Sequence, residues 1–258
     1  MTLLALKLVL APLLVVGSSL VGRRWGPRLA GILVVLPIVA GPILLIVHLQ
    51  HGPDFAARAA AASTLGVAPL ALFAVVFAYV SRRRGWLVTL AASWAAVLFA
   101  DLGLALLRVP AAVALVVALV ALHGAALLLR RLPASAPAPA ALPWWDLPAR
   151  AAATGALVVL LTGVAASLGP TVTGVLAPFP IALSVVCAFA VAQQGHPGVL
   201  ALLRGIVPGL DGFALFCFLV AVTINRLGGL AAFSLATTVA VLFALVLTWR
   251  RPPRSRGA

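Results

Sequence analysis

The stretch GPRLAGILVVLPIVAGPILLIVHLQHG, residues 26–52, is written again as GPTVTGVLAPFPIALSVVCAFAVAQQG, residues 169–195. The same 143-residue register continues without a gap to Gly85 and Gly228. Matching aliphatics mean little in a chain so rich in Ala, Leu and Val. The pairs that carry weight are Gly26/Gly169, Pro27/Pro170, Gly31/Gly174, Pro37/Pro180, Gln50/Gln193, Gly52/Gly195, Gly66/Gly209, Phe73/Phe216, Arg83/Arg226 and Gly85/Gly228. These types, kept in register, predict a duplicated unit.

The solvent of that unit follows from composition. With 64% hydrophobic and 9% charged residues and a mean hydropathy of +1.23, the chain has more apolar surface than a soluble core of 258 residues can hide. Lipid is the expected partner. Eighteen bases against four acids give a net charge of +14, yet the bases stand in short clusters between apolar runs. That pattern sets membrane orientation and does not point to nucleic acid. Cys187 and Cys217 lie inside apolar runs with no CxxC or His/Cys spacing, so neither a disulfide framework nor a metal site is expected. Residues 2–21 lack a basic start, are followed at once by Arg23 and Arg24, and have a counterpart at 146–164. They read as a retained transmembrane helix and not as a signal peptide.

A span needs about 20 apolar residues. Runs of that length between Arg, Gly-Pro and Pro breaks give nine, near 2–22, 29–49, 59–80, 86–107, 110–129, 150–168, 172–193, 202–223 and 229–249. The fold class expected is therefore all-α, a polytopic integral membrane protein. Four spans in each half match by the register and the fifth has no partner. The division is 1–108 for the first four-helix repeat, 109–131 for the connecting helix, 132–149 for a Pro/Ala-rich linker, 150–250 for the second repeat and 251–258 for a basic tail. Fourteen of the eighteen bases fall on one side, including Arg82, Arg83, Arg84, Arg130 and Arg131. Trp25, Trp86, Trp144, Trp145 and Trp249 fall at helix ends on the same side. Bases favour the cytoplasm, which puts the N-terminus outside and the C-terminus inside. An odd helix between the copies inverts one relative to the other, giving a 4+1+4 inverted repeat. Arg23, Arg24 and Arg28 correspond to Ala166, Ser167 and Thr171, as inversion requires.

Chemistry is sparse. Pro37 and Pro180 each sit about eight residues into the second and seventh spans, at one repeat position. Proline inside a helix frees a carbonyl, and in lipid that group must face protein or an aqueous cavity. Interrupted helices at matching positions of inverted halves point to a transporter's midplane site; the alternative is a packing kink. Asp211, within Pro208-Gly209-Leu210-Asp211-Gly212, and Asp101 lie inside spans, where a carboxylate must be protonated, paired or wet. Arg204, two turns before Asp211, is its candidate partner. Gln50 and Gln193 read as helix caps, with lining of a vestibule as the alternative. His48, His51, His123 and His196 show no ligand spacing, and no nucleophile set, nucleotide loop or acidic metal cluster appears. No cofactor and no enzymatic activity are expected.

The pattern Gly-Pro-(three residues)-Gly, then Leu-Pro-Ile (36–38) or Phe-Pro-Ile (179–181), then Gly52 or Gly195, resembles the GlpM-type family of small bacterial inner-membrane proteins. Those are single four-helix units, and this chain looks like two of them fused through an extra helix. The resemblance implies a bacterial inner-membrane location and brings no substrate. In layout alone the chain also looks like the drug and metabolite transporter superfamily. The expected function is transport of a small metabolite or lipid-linked solute by alternating access, with Pro37, Pro180, Asp211, Asp101 and Arg204 as binding or coupling candidates. The rival is a non-transporting scaffold or accessory subunit that recruits a partner through the linker, residues 132–149, and the tail, residues 251–258.

Overall fold

The computed structural model describes residues 2–25, 40–105, 107, 109–133, 135, 143–168 and 179–249. Among them every regular element is helical: α1 (Thr2–Trp25), α2 (Ala40–His51), α3 (Pro53–Leu65), α4 (Val67–Val80), α5 (Trp86–Ala105), α6 (Ala111–Arg131), α7 (Asp146–Leu168), α8 (Ile181–Leu227) and α9 (Gly229–Trp249). Five segments are long and apolar enough to cross a membrane, namely Pro53–Val80, Trp86–Leu104, Ala111–Arg131, Ile181–Leu227 and Gly229–Val246. The protein is an all-α, membrane-embedded protein. The first parts of the expected second and seventh spans, Pro37 among them, lie outside the described residues, as does most of the linker and the tail from 250 onwards.

Each long helix divides into two faces, and the division explains why lipid is needed. On α6 the buried residues are Ala114, Ala118, Leu122, Ala125 and Leu129, a stripe at helical spacing turned toward α4 and α8. Its other face carries Val116, Val120 and Leu127, each about 60% exposed or more. In water such a face would be an aggregation surface; in a bilayer it meets acyl chains. On α9 the same split sets Ala232, Ala236 and Ala240 inward and Leu230 and Leu242 outward. Inward alanines let backbones approach closely, which is how membrane helices gain packing energy without a hydrophobic drive. Gly212 on α8 serves the same end, since a β-carbon there would sit 3.2 Å from the Phe243 ring of α9.

Two cores result. One gathers Phe73 and Phe77 of α4, Leu122 and Leu129 of α6, and Leu200, Leu203 and Ile206 of α8. The other joins Leu44 of α2, Ala56 and Ala60 of α3, Phe216 to Ile224 at the end of α8, and the α9 alanines. Helix α8 contributes to both and is the axis of the molecule. At 47 residues it would run about 70 Å if straight, more than twice a bilayer core of about 30 Å. It breaks at Gly195, where φ is 67° and ψ is −167°. That conformation is open to glycine and almost closed to any residue with a β-carbon. Gly52 does the same between α2 and α3, at φ 81° and ψ 175°. Its N–H closes α2 on His48 O at 2.9 Å and its carbonyl opens α3 by accepting from Ala56 N at 3.2 Å, with Pro53 fitting the first helical turn where no donor is needed. We refer to residues 181–194 and 196–227 as the first and second arms of α8.

Candidate functional site

The most elaborate polar cluster is built where the end of α1, the start of α7 and the end of the first α8 arm converge. The chain turns at Pro143, with Asp146 N donating to Pro143 O at 3.1 Å, and Asp146 becomes the first residue of α7. A carboxylate there opposes the positive end of the helix dipole. Its side chain is fully buried and every lone pair is used. Arg23 Nη2 donates to Oδ2 at 2.7 Å, and Arg150 Nε, one turn along α7, donates to both oxygens at 3.0 Å. Gln193 Nε2 donates to Oδ1. The network closes on itself, because Arg150 Nη2 donates to Gln193 Oε1 at 2.8 Å and the Arg150 guanidinium lies 4.8 Å from the centroid of the Phe189 ring. Burial pushes the Asp146 carboxyl up, but the bond from Gln193, the bonds from Arg23 and Arg150 and the Arg150 charge outweigh it. The group lies below its ordinary value and stays ionised.

This cluster corrects the expectation for Gln193, which bonds side chains of α7 and does not serve as a helix cap. Sequence reading also missed Asp146 and Arg150. The usable signals were their four-residue spacing at a helix start and the duplication of Gln193.

Pro180 stands elsewhere than expected. It precedes α8 as its N-cap, at φ −78° and ψ 61°, the centre of an inverse γ-turn in which Ile181 N donates to Phe179 O at 2.8 Å. Its own carbonyl accepts from Ser184 N at 2.8 Å. Proline suits the position because it has no N–H to leave unpaired. Helix α8 thus begins after Pro180, at the position where the sequence placed an interruption, and Trp94 of α5 braces the start. Trp94 Nε1 donates to the buried Ser184 Oγ at 2.8 Å, and its ring meets Phe179 edge-on at 5.3 Å.

Arg204 is also placed differently. Its Nε and Nη2 donate to Leu129 O at 3.3 and 2.9 Å, and Nη2 reaches Leu132 O at 2.7 Å. The guanidinium therefore answers the open carbonyls at the end of α6, where pairing with Asp211 had been expected. Asp211 is half-buried on the second α8 arm with Oδ1 buried and without a hydrogen-bond partner among the described residues. His123 of α6 is exposed, and its Nδ1 donates to Leu119 O at 2.8 Å. Asp101 is buried on α5, and its Oδ2 likewise has no partner among the described residues. No ion pair joins Arg204 to Asp101 or Asp211 among the described residues.

Two further contacts tie the ends of the long helices. Ser81 Oγ, just after α4, lies 3.0 Å from His196 Nδ1 beside the Gly195 break. Asn225 Nδ2, near the end of α8, donates to Asp54 Oδ1 beside the Gly52 break at 2.8 Å. Cys187 and Cys217 are buried free thiols, and no group of three potential metal ligands occurs among the described residues.

Searches against protein-family models, characterised proteins and solved structures find no match to the chain.

Proposed function

We propose that the chain is a bacterial inner-membrane transporter made of two inverted GlpM-like copies, moving a small metabolite or lipid-linked solute by alternating access. The observation that carries this reading is the exchange of contacts between the copies. Moving the Ser81–His196 pair by 143 residues lands on Ile224 and Pro53, one residue from the Asn225–Asp54 pair at each end. The start of α3 meets the end of α8, and the end of α4 meets the start of the second α8 arm. These rods run antiparallel, the relation that inverted copies require. Other pairings follow the same exchange. Trp94 of α5 packs on the first α8 arm, and Phe233 of α9 approaches His48 of α2 at 6.5 Å between ring centroids. The breaks at Gly52 and Gly195 occupy one register position, and broken helices at matching places of inverted halves are how transporters build a central site.

The cavity is tested with single cysteines at Ile38 and Ile181, which share one register position, labelled with an impermeant thiol reagent from each face of oriented vesicles. Alternating access expects labelling from both faces. If both positions stay inert while neighbours one turn toward either surface react, the interruption at Pro180 is a packing feature and the transport reading fails. Asp211, whose buried oxygen has no partner among the described residues, is the candidate coupling group, so Asp211→Asn should abolish flux in vesicles while leaving the folded yield unchanged.

A further inference from the structure

We propose that the end of the molecule where α4, α6 and the second α8 arm meet holds an anionic phospholipid, with its phosphate among Arg82, Arg83, Arg84, Arg130 and Arg131. Three contacts fix this convergence. Tyr79 Oη donates to Leu128 O at 3.3 Å, Arg204 holds the carbonyls of Leu129 and Leu132, and Ser81 touches His196. Arg82 and Arg204 both lie within electrostatic reach of His196. The five arginines named are exposed, and none makes an ion pair among the described residues.

Charge accounting shows that the chain's own carboxylates do not neutralise this end. Only four acids exist. Asp54 is bonded to Asn225 near the opposite end of α8, Asp101 and Asp211 lie inside spans, and Asp146 is shared by Arg23 and Arg150. No carboxylate is left for this end. Five guanidiniums held together on helix ends repel one another unless counter-charge is supplied. The surroundings select the class of anion. Leu127 and Leu128 precede Arg130 and Arg131 with only the buried Leu129 between, Trp86, Leu87 and Val88 immediately follow Arg84 and Gly85, and the five other than Leu129 are exposed apolar side chains. The arginines therefore rim a lipid-facing surface, with an indole at the level that headgroups occupy. A phosphodiester carrying acyl chains satisfies both halves of that surface at once, with bidentate guanidinium contacts to its oxygens. A soluble anion satisfies only one.

The test uses the full chain purified in neutral detergent. Retention of phosphatidylglycerol and of phosphatidylcholine is read by native mass spectrometry, and Tm is read on titration with each lipid. Phosphatidylglycerol should be retained and raise Tm where phosphatidylcholine does neither. Changing arginines to glutamine should cost about fivefold in apparent affinity per residue, and lysine replacements should restore most of it. Equal retention of the two lipids, or unchanged affinity in the glutamine variants, overturns the proposal. Inorganic phosphate that reproduces the Tm shift and displaces the lipid identifies a free-phosphate site and overturns it as well. Should the glutamine variants not fold, a salt series on the unaltered protein decides. Retention should fall steeply between about 50 and about 500 mM NaCl, as screening shortens, and a flat series would end the idea.

Discussion

Gly52 and Gly195 hold the same register position and the same backbone, yet the chain closes around them differently. Beside Gly195, Gln193 is drawn into a buried network with Asp146, Arg150 and Arg23. Beside Gly52, the matching Gln50 is exposed, and the nearest clasp is the solvent-facing bond between Asn225 and Asp54. The register shows where the difference arises. Arg150 corresponds to Lys7 and Gln193 to Gln50, so base and amide are duplicated, but Asp146 corresponds to Leu3 and Arg23 to Ala166. Only the Gly195 end carries the carboxylate that turns an amide and a base into a lock. Two glycine breaks with matching backbone angles thus differ in their electrostatics.

The largest expected effect breaks the lock. Asp146→Asn leaves two guanidiniums around a neutral amide, one of them nearly fully buried, and removing one partner of a buried pair typically costs about 3–5 kcal/mol. Thermal unfolding in detergent should show a large fall in Tm, whereas Gln50→Ala at the matching end should change little. Equal effects would mean that the two ends are held alike. The same carboxylate sets a pH signature. It binds its proton less readily folded than unfolded, so its contribution is complete above the ordinary carboxylate value near about 4 and fades as pH falls through its depressed folded value. The Tm gap between the unaltered chain and Asp146→Asn should be constant from about pH 5 to about pH 8 and narrow below about pH 4.

Next in size are the breaks. Gly52→Ala and Gly195→Ala place a β-carbon on a backbone that only glycine accepts easily, at a cost of about 1–3 kcal/mol each. Similar losses at both positions would tighten the equivalence of the two copies, and a loss at one alone would loosen it. The smallest pair compares the clasps. Ser81→Ala removes a partly buried bond to His196 and should cost about 1 kcal/mol. Asn225→Ala removes an exposed bond and should cost no more than about 0.5 kcal/mol, both read as shifts in Tm.

The sequence made some of this visible and hid the rest for physical reasons. The helical, lipid-embedded character was legible from hydropathy, because run length answers to bilayer thickness. Gly52 and Gly195 were marked by repetition, because glycine is kept where the backbone leaves no alternative. Pro180 was assigned to a helix interior, because apolar run length is blind to where inside a run a helix begins. Arg204 was given to Asp211 by spacing along its own helix, and a carbonyl on another helix leaves no trace in local spacing. Asp146 and Arg150 were overlooked because one bordered a proline-rich linker and the other counted as an orientation charge. Their partner Gln193 lies 43 residues beyond Arg150, a distance at which sequence reports type and not contact.

Cys187 and Cys217 are both fully enclosed, with no exposure of either residue. A thiol sealed from solvent is closed to bulky maleimides and exchanges poorly with oxidants. The native chain therefore serves as its own silent background for chemical mapping. Introduced cysteines can be read without first carving two polar serines into tightly packed helix contacts, and a signal from the unaltered protein would itself report that the packing around α8 opens.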